Sequence, residues 1–416
     1  MNKQPPTYAY SESALLRVMD AKLREPRAAW HLPSSRFTIE AISPRTIVSG
    51  HGSASTLALA QRRALMELVE RYAQFHCHKL SPALVASYDS IRDQAIDPRE
   101  LGLYNSAQYH YPEFPFASFS TSTPIEWIEV HDLRTGTSRL VPLEFIYPNA
   151  PVTRRRIVGE TSSGTAAHTD RDCALVAGLC EVIERDTLTL FWYRQPRTPV
   201  ISVASIQNPV LRDELVSIQE LGYVLVICDL TYDLGISVFL ILAIRRGKLA
   251  HGIGCHPTAT RALEHAIREL GGMIGRLEIG REELVLYHAV EAVHAPLDHL
   301  QLYGSGPMLD LLRQVLSYTL YPMSNEEVIE KFNSRIQNGS ELEHVLDVLE
   351  CRGYRSYATD IVPAELQAAG IHVVRVLVPG LIPMHFGANF LRLGSNRLIG
   401  VKAPGRFRTV MPHFFS

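Results

Sequence analysis

A five-residue pattern, Glu67-Leu-Val-Glu70-Arg71, recurs 114 positions later as Glu181-Val-Ile-Glu184-Arg185. At 100° per residue, both acids and the arginine of each copy fall within one arc of a helix. Each copy follows a small-residue segment, Ser49-Gly50-His51-Gly52-Ser53 before the first and Gly159–Ala167 before the second. A third segment, Gly252–Pro257, leads into a helical pattern with one comparable acid, Glu269. The repeat is too widely spaced for a solenoid. It predicts an internal duplication that aims one chemical group at a shared centre.

A solvated helix face with i,i+3 and i,i+4 pairs would explain one such pattern. Two observations favour a site. The run Cys173–Cys180 has no charge, which marks a buried helix, and carboxylates in its continuation are costly unless a cation satisfies them. A merely solvated face also has no need of a second copy. Convergent carboxylates suit Mg²⁺, which takes oxygen ligands and bridges to phosphates. Arginine supplies a planar fork of donors for phosphate. Read as loops, the small-residue segments would offer backbone N–H groups to the same anion. The expectation is a nucleotide–Mg²⁺ site without a P-loop, because no GxxxxGK[ST] occurs, and GxGxxG and GxSxG are missing too. On residues alone, a general ATP-binding ligase or kinase stays open.

The remaining pattern predicts an α/β (α+β) fold. Helices are expected over Ala14–Leu23 (capped by Ser11), Thr56–Lys79, Asp170–Tyr193 (with Thr169 and Asp172 forming a capping box), Thr260–Leu270 and within 306–350. Core strands are expected at Tyr223–Asp229, Ile236–Ile244 and Val373–Val378. The run Ile236–Ile244 is too short to span a bilayer. A net charge of −2 gives no footprint for nucleic acid. Six scattered cysteines without a CxxC pair, and no signal peptide, predict a cytoplasmic protein free of membrane. Cys173, Cys180, Phe191 and Trp192 read as core residues. His76-Cys77-His78 reads as a packing or surface triplet at a helix end, since alternate residues on a helix point apart. Arg154-Arg155-Arg156 reads as a solvated turn, with a smaller share given to a role in holding ATP or an acidic leader peptide.

Three stretches, SGHGSASTLALAQRRALMELVERYAQF, GETSSGTAAHTDRDCALVAGLCEVIERDTLTLFWY and GIGCHPTATRALEHAIREL, together with VVRVLVPGLIP, resemble the YcaO family of ATP-dependent enzymes that modify peptide backbone amides. The resemblance runs in order over about residues 45–405. It implies that Glu67, Glu70, Glu181, Glu184 and Glu269 bind Mg²⁺ beside the ATP phosphates. It also implies that Arg71, Arg185, Ser162 and Ser53 contact ATP; His256 matches the family's third loop, where a role in the site and a structural turn before the helix are equal readings. The implied reaction is attack of a nucleophile on a backbone carbonyl, transfer of the ATP γ-phosphoryl group to the oxyanion, and loss of phosphate. In cyclodehydratases the nucleophile is a Cys, Ser or Thr side chain of a ribosomally made precursor peptide, and the product is an azoline. Thioamide- or amidine-forming chemistry and a non-catalytic docking subunit are the alternatives.

Several positions depart from the family pattern. His51 stands in place of lysine, Ser163 and Thr165 replace Asn and Leu, and Gly272 takes the place of glutamine. The ending Met411-Pro412-His413-Phe414-Phe415-Ser416 lacks Pro-x-Pro-x-Pro. The expected organisation is a lead-in over 1–45, a catalytic domain over 46–405 and a tail over 406–416. Split cyclodehydratases suggest a separate leader-binding partner of ubiquitin-activating type and a flavin dehydrogenase, with a homodimer also open.

Overall fold

The computed structural model describes residues 12–28, 36–43, 48–75, 84–112, 114–279, 293–303, 307–334, 336, 339–387, 389–401 and 411–415. Ser11 and His76-Cys77-His78 lie outside them. Helices and largely antiparallel sheets make an α+β fold.

Three strand–helix units organise it. Strands β1 (Phe37–Ser43) and β2 (Val48–Ala54) form an antiparallel hairpin that leads into α1 (Leu57–Phe75). Strand β3 (Thr165–His168) leads into α2 (Arg171–Arg194). Strands β4 (Ser237–Arg245) and β5 (Lys248–His256) form a second hairpin that leads into α3 (Ala259–Ile279). Each helix packs on its own strand and also touches the next unit's strand: α1 on β3, α2 on β5, α3 on β2. The units therefore close a ring, and the duplication seen in sequence is a triplication in space.

The first and third small-residue segments are strands, not the loops expected. Along β2 burial alternates strictly, with Gly50 and Gly52 inward and His51 and Ser53 outward. Glycine is required there because α1 lies directly on the strand. A Cβ on Gly52 would collide with the carbonyl oxygen of Ala60, and one on Gly252 with that of Ala266. Close approach, not turn geometry, selects the small residues. In the second segment, 159–164 is irregular and Thr165–Ala167 belongs to β3.

Other boundaries shift modestly. The first helix covers Glu12–Val18, and Lys22–Leu23 is already a strand. Asp170, not Thr169, caps α2, its carboxylate accepting from the Cys173 N–H at 2.9 Å. The 306–350 region holds helices Pro307–Thr319, Asn325–Asn333 and α4 (Glu341–Glu350), with a short strand at Leu320–Pro322. Strand β6 (His372–Leu377) pairs with β3 in a six-stranded sheet. Helix α2 is buried along almost its whole length between this sheet and the five-stranded sheet that contains β4 and β5. The tail residues Met411–Phe415 are buried too. Trp192 Nε1 donates to the Met411 carbonyl at 3.0 Å, and Tyr303 Oη to that of Pro412 at 2.7 Å.

Candidate active site

The ring explains why the acids recur. In each unit the first glutamate turns back to its own strand. Glu67 accepts from the His51 N–H at 2.9 Å, Glu181 from Gly164 at 3.0 Å, and Glu269 from Ile253 at 2.7 Å. Those N–H groups are thereby committed to carboxylates, so they are not the phosphate cradle that a loop reading suggests. The second glutamate reaches the next unit's strand: Glu70 accepts from the Ala167 N–H at 2.9 Å, and Glu184 from that of Cys255. The third helix has Gly272 at this place. A Cβ there would lie 2.9 Å from Ser53 Oγ on β2.

Electrostatics single out the two middle acids. Burial pushes Glu70 up to about 8, helped by the charges of Glu181 and Glu67 and opposed by the Ala167 N–H and Arg71. Burial likewise pushes Glu184 up to about 8, with Glu269 and Glu181 adding to it and Arg185 opposing. Repulsion thus links Glu67, Glu70, Glu181, Glu184 and Glu269 into one chain of interacting carboxylates. The arginines pair within their own helices, Arg71 with Glu67 at 2.5 Å and Arg185 with Glu181 at 3.4 Å. Burial alone would lower Arg185, yet Glu181, Glu184 and Glu269 hold it above the ordinary arginine value. Its guanidinium stacks on Phe415 of the tail at 4.8 Å, and its Nη1 is buried without a hydrogen-bond partner among the described residues.

A cavity of about 530 Å³ opens beside this centre, between the N-terminal halves of α2 and α3, a volume suited to a small-molecule ligand. Glu181 and Glu184 line its inner end, and Cys173, Val176, Ala177 and Cys180 form its α2 wall. The charge-free run is therefore partly cavity wall. Cys173, expected in the core, is exposed there, and Cys180, though buried, also faces the cavity. Phe191 and Trp192 are core residues as expected. His168, Cys255, His256, Arg261, Glu264, His265 and Glu341 complete the lining. His265 is pushed down to about 3, by burial first and then by Arg268, His256, Arg63 and Arg261, so it stays neutral.

Of the residues expected at the site, Glu181, Glu184 and His256 line the cavity, whereas Arg71, Arg185, Ser162 and Ser53 do not. An ATP contact from those four rests on the resemblance. Arg154, Arg155 and Arg156 are spent on Glu144 and on the carbonyls of Arg155, Phe114, Pro115 and Ala150. Arg155 is exposed and Arg154 and Arg156 half-buried in an irregular stretch, so the run is a partly solvated segment pinned by these bonds. Arg261, Glu264 and His265 were missed in the sequence, although their 3–4 spacing ahead of Glu269 is the signal that places them on one face of α3. Glu341 carried no local signal.

Residues 51–382 match the family described as YcaO cyclodehydratase, ATP- and Mg²⁺-binding. The chain belongs to the YcaO family. YcaO enzymes are ATP-dependent and use Mg²⁺. Solved structures share the fold, three of them as follows. A heterocyclase in complex with substrate and cofactor matches with a TM-score of 0.75 at 22% identity, over 96% of this chain and 56% of its own. This YcaO chain thus spans little more than half of that heterocyclase. YcaO from Methanopyrus kandleri, bound with AMPPCP and Mg²⁺, matches at 0.57 and 18%, over 95% and 92%. The Escherichia coli microcin synthetase McbBCD complex with pro-MccB17 bound matches at 0.58 and 13%, over 87% and 88%.

The carboxylate centre fits Mg²⁺ on its own chemistry. Its donors are all carboxylate oxygens, and the two middle acids repel their neighbours in a desolvated setting that a hard cation would relieve. Among the described residues no three His, Cys, Asp or Glu side chains are grouped closely enough to hold a metal ion by themselves. No helix among the described residues is long and apolar enough to cross a membrane.

Proposed function

We propose that the chain uses ATP to activate backbone amides of a ribosomally synthesised precursor peptide, converting Cys, Ser or Thr residues to azolines. The observation that carries this is the chain of repelling carboxylates, two of which, Glu181 and Glu184, line a nucleotide-sized cavity. Glu67, Glu70, Glu181, Glu184 and Glu269 would hold Mg²⁺, which when bound neutralises triphosphate charge. Arg185, locked under Phe415, keeps positive charge beside Glu181 and Glu184. In the proposed reaction the peptide's thiol or hydroxyl adds to the carbonyl carbon of the preceding residue. The amide oxygen takes the γ-phosphoryl group as ADP leaves, and its departure as inorganic phosphate leaves a C=N bond. The chain's contribution is positioning and charge neutralisation, the main requirements of phosphoryl transfer.

Residues 46–405 would form the catalytic domain, working with a separate partner that captures the leader. The microcin synthetase complex, with its pro-peptide bound, is the precedent among neighbours. The test is mass spectrometry of a candidate precursor after incubation with the chain, partner, ATP and Mg²⁺. Loss of one water per modified residue is expected. Exchange of oxygen for sulfur would establish the thioamide alternative instead, and unchanged peptide without ATP turnover would leave a docking subunit.

A further inference from the structure

The cavity has a direction. Glu181 and Cys173 are eight residues apart on α2, and Glu269 and Arg261 eight apart on α3, so each wall runs about 12 Å from the carboxylates to the mouth. A nucleotide whose phosphates stay at the carboxylates must lay its sugar and base along that wall. The middle of the wall is small and apolar, at Val176, Ala177 and Cys180. At the mouth the chemistry changes. His168 from the end of β3, His256 from the end of β5, Arg261 from α3 and Glu341 from α4 converge on the opening.

Glu341 stands apart because α4 lies outside the three repeated units. Ser340 caps that helix through a capping box with Glu343, which fixes Glu341 as its first residue. One carboxylate oxygen accepts from Arg261 Nη1 at 3.0 Å, and the other faces His256 Nε2 at 3.5 Å. His256 Nδ1 accepts from the Thr258 N–H at 3.0 Å, so in the neutral ring the proton sits on Nε2, toward Glu341. The Glu341 charge also acts across the mouth on Cys173, whose thiol is raised by burial, by Asp170 and then by Glu341. A carboxylate has about four acceptor sites. Arg261 and His256 take one on each oxygen and leave an acceptor on each, the arrangement that receives two adjacent hydroxyls.

We infer that Glu341, held in place by Arg261 and His256, accepts the ribose hydroxyls of the nucleotide and makes the site select ribo- over 2′-deoxyribonucleotides. This rests on the nucleotide reading above and adds a specificity residue to it. Acidic side chains accept ribose hydroxyls elsewhere for the same chemical reason.

Titration calorimetry of the full chain with Mg²⁺·ATP and Mg²⁺·2′-deoxy-ATP tests it. The wild type should bind the deoxynucleotide roughly ten- to a hundredfold more weakly, the loss expected for a hydrogen bond to a charged acceptor. Glu341→Ala should weaken ATP, which loses both hydroxyl contacts, by roughly tenfold or more beyond its effect on 2′-deoxy-ATP, which loses only the 3′-hydroxyl contact, and so abolish the preference. Glu341→Gln, which keeps an acceptor without the charge, should fall between. If Glu341 is merely a strut between α3 and α4, its removal will weaken both nucleotides equally and overturn the inference. Equal binding of both nucleotides by the wild type also overturns it, with the nucleotide reading intact. Binding of neither would sink that reading and this inference together.

Discussion

The two ExxER helices carry the same pattern in unlike surroundings. Helix α1 buries one face, through Ala60, Ala64, Leu68 and Tyr72, and leaves the Arg71 side chain 43% exposed. Helix α2 is buried nearly all round, its arginine is 19% exposed, and the tail lays Phe415 over it. Glu181 and Glu184 line the cavity, and Glu67 and Glu70 do not. A duplicated motif therefore does not mean duplicated work. The second copy lines the cavity, and the first interacts with it through the repulsion between Glu70 and Glu181.

Stability should separate the two arginines most sharply. Arg185→Ala removes the cation among Glu181, Glu184 and Glu269 and should cost about 3–5 kcal/mol, the range for breaking a buried ion pair. Arg71→Ala removes a half-exposed i,i+4 pair and a hydrogen bond to the Ser49 carbonyl, and should cost about 1–2 kcal/mol. Urea denaturation of the metal-free proteins measures both. Equal losses would mean that the surroundings do not differentiate the copies.

The middle acids should behave alike despite those surroundings, because both are raised to about 8. Glu184→Gln and Glu70→Gln should each lower ATP turnover by about 10²–10³-fold, the scale for losing one preorganised electrostatic contact. They should also stabilise the metal-free fold at pH 8, since a neutral isostere removes the repulsion. The pH dependence follows from linkage. From the ordinary carboxylate value of 4.5 up to about 8 the folded protein keeps protons that the unfolded chain has released, so metal-free stability falls as pH rises. Melts between pH 5 and 8.5 should show that decline in the wild type, a shallower one in either variant, and its reversal by Mg²⁺·ATP. A pH-independent melt would mean that the acids are already satisfied without metal.

These acids were legible because charge on a helix face is a local pattern. The helices α1 and α2 and the central strands were legible for the same reason, through apolar periodicity. The strand character of Gly50–Ser53 was not. Glycine usually signals a turn, but here the period-two alternation was the better guide, and its cause is the helix α1, which follows at once in sequence and packs back onto the strand. The third unit was half-visible, because Gly272 breaks its pattern. Glu341 could not be read at all, since nothing near it in sequence shows that α4 ends over the cavity.

The smallest expected effect probes that third unit. Gly272→Ala places a Cβ 2.9 Å from Ser53 Oγ, which lies 3.1 Å from Thr38 Oγ1. Replacing glycine inside a helix gains about 0.5–1 kcal/mol, and displacing the Ser53–Thr38 hydrogen bond loses about 0.5–1.5 kcal/mol. The two nearly cancel, so the single variant should change stability by less than about 1 kcal/mol. Adding Ser53→Ala removes the clash, and the glycine replacement should then show its helix gain when measured against Ser53→Ala alone. Turnover decides what the missing side chain means. If Gly272→Ala leaves both folding and ATP turnover intact, the third corner is a relic of the repeat whose space no ligand uses. If turnover falls while stability holds, the gap is occupied during the reaction, and all three corners of the ring take part.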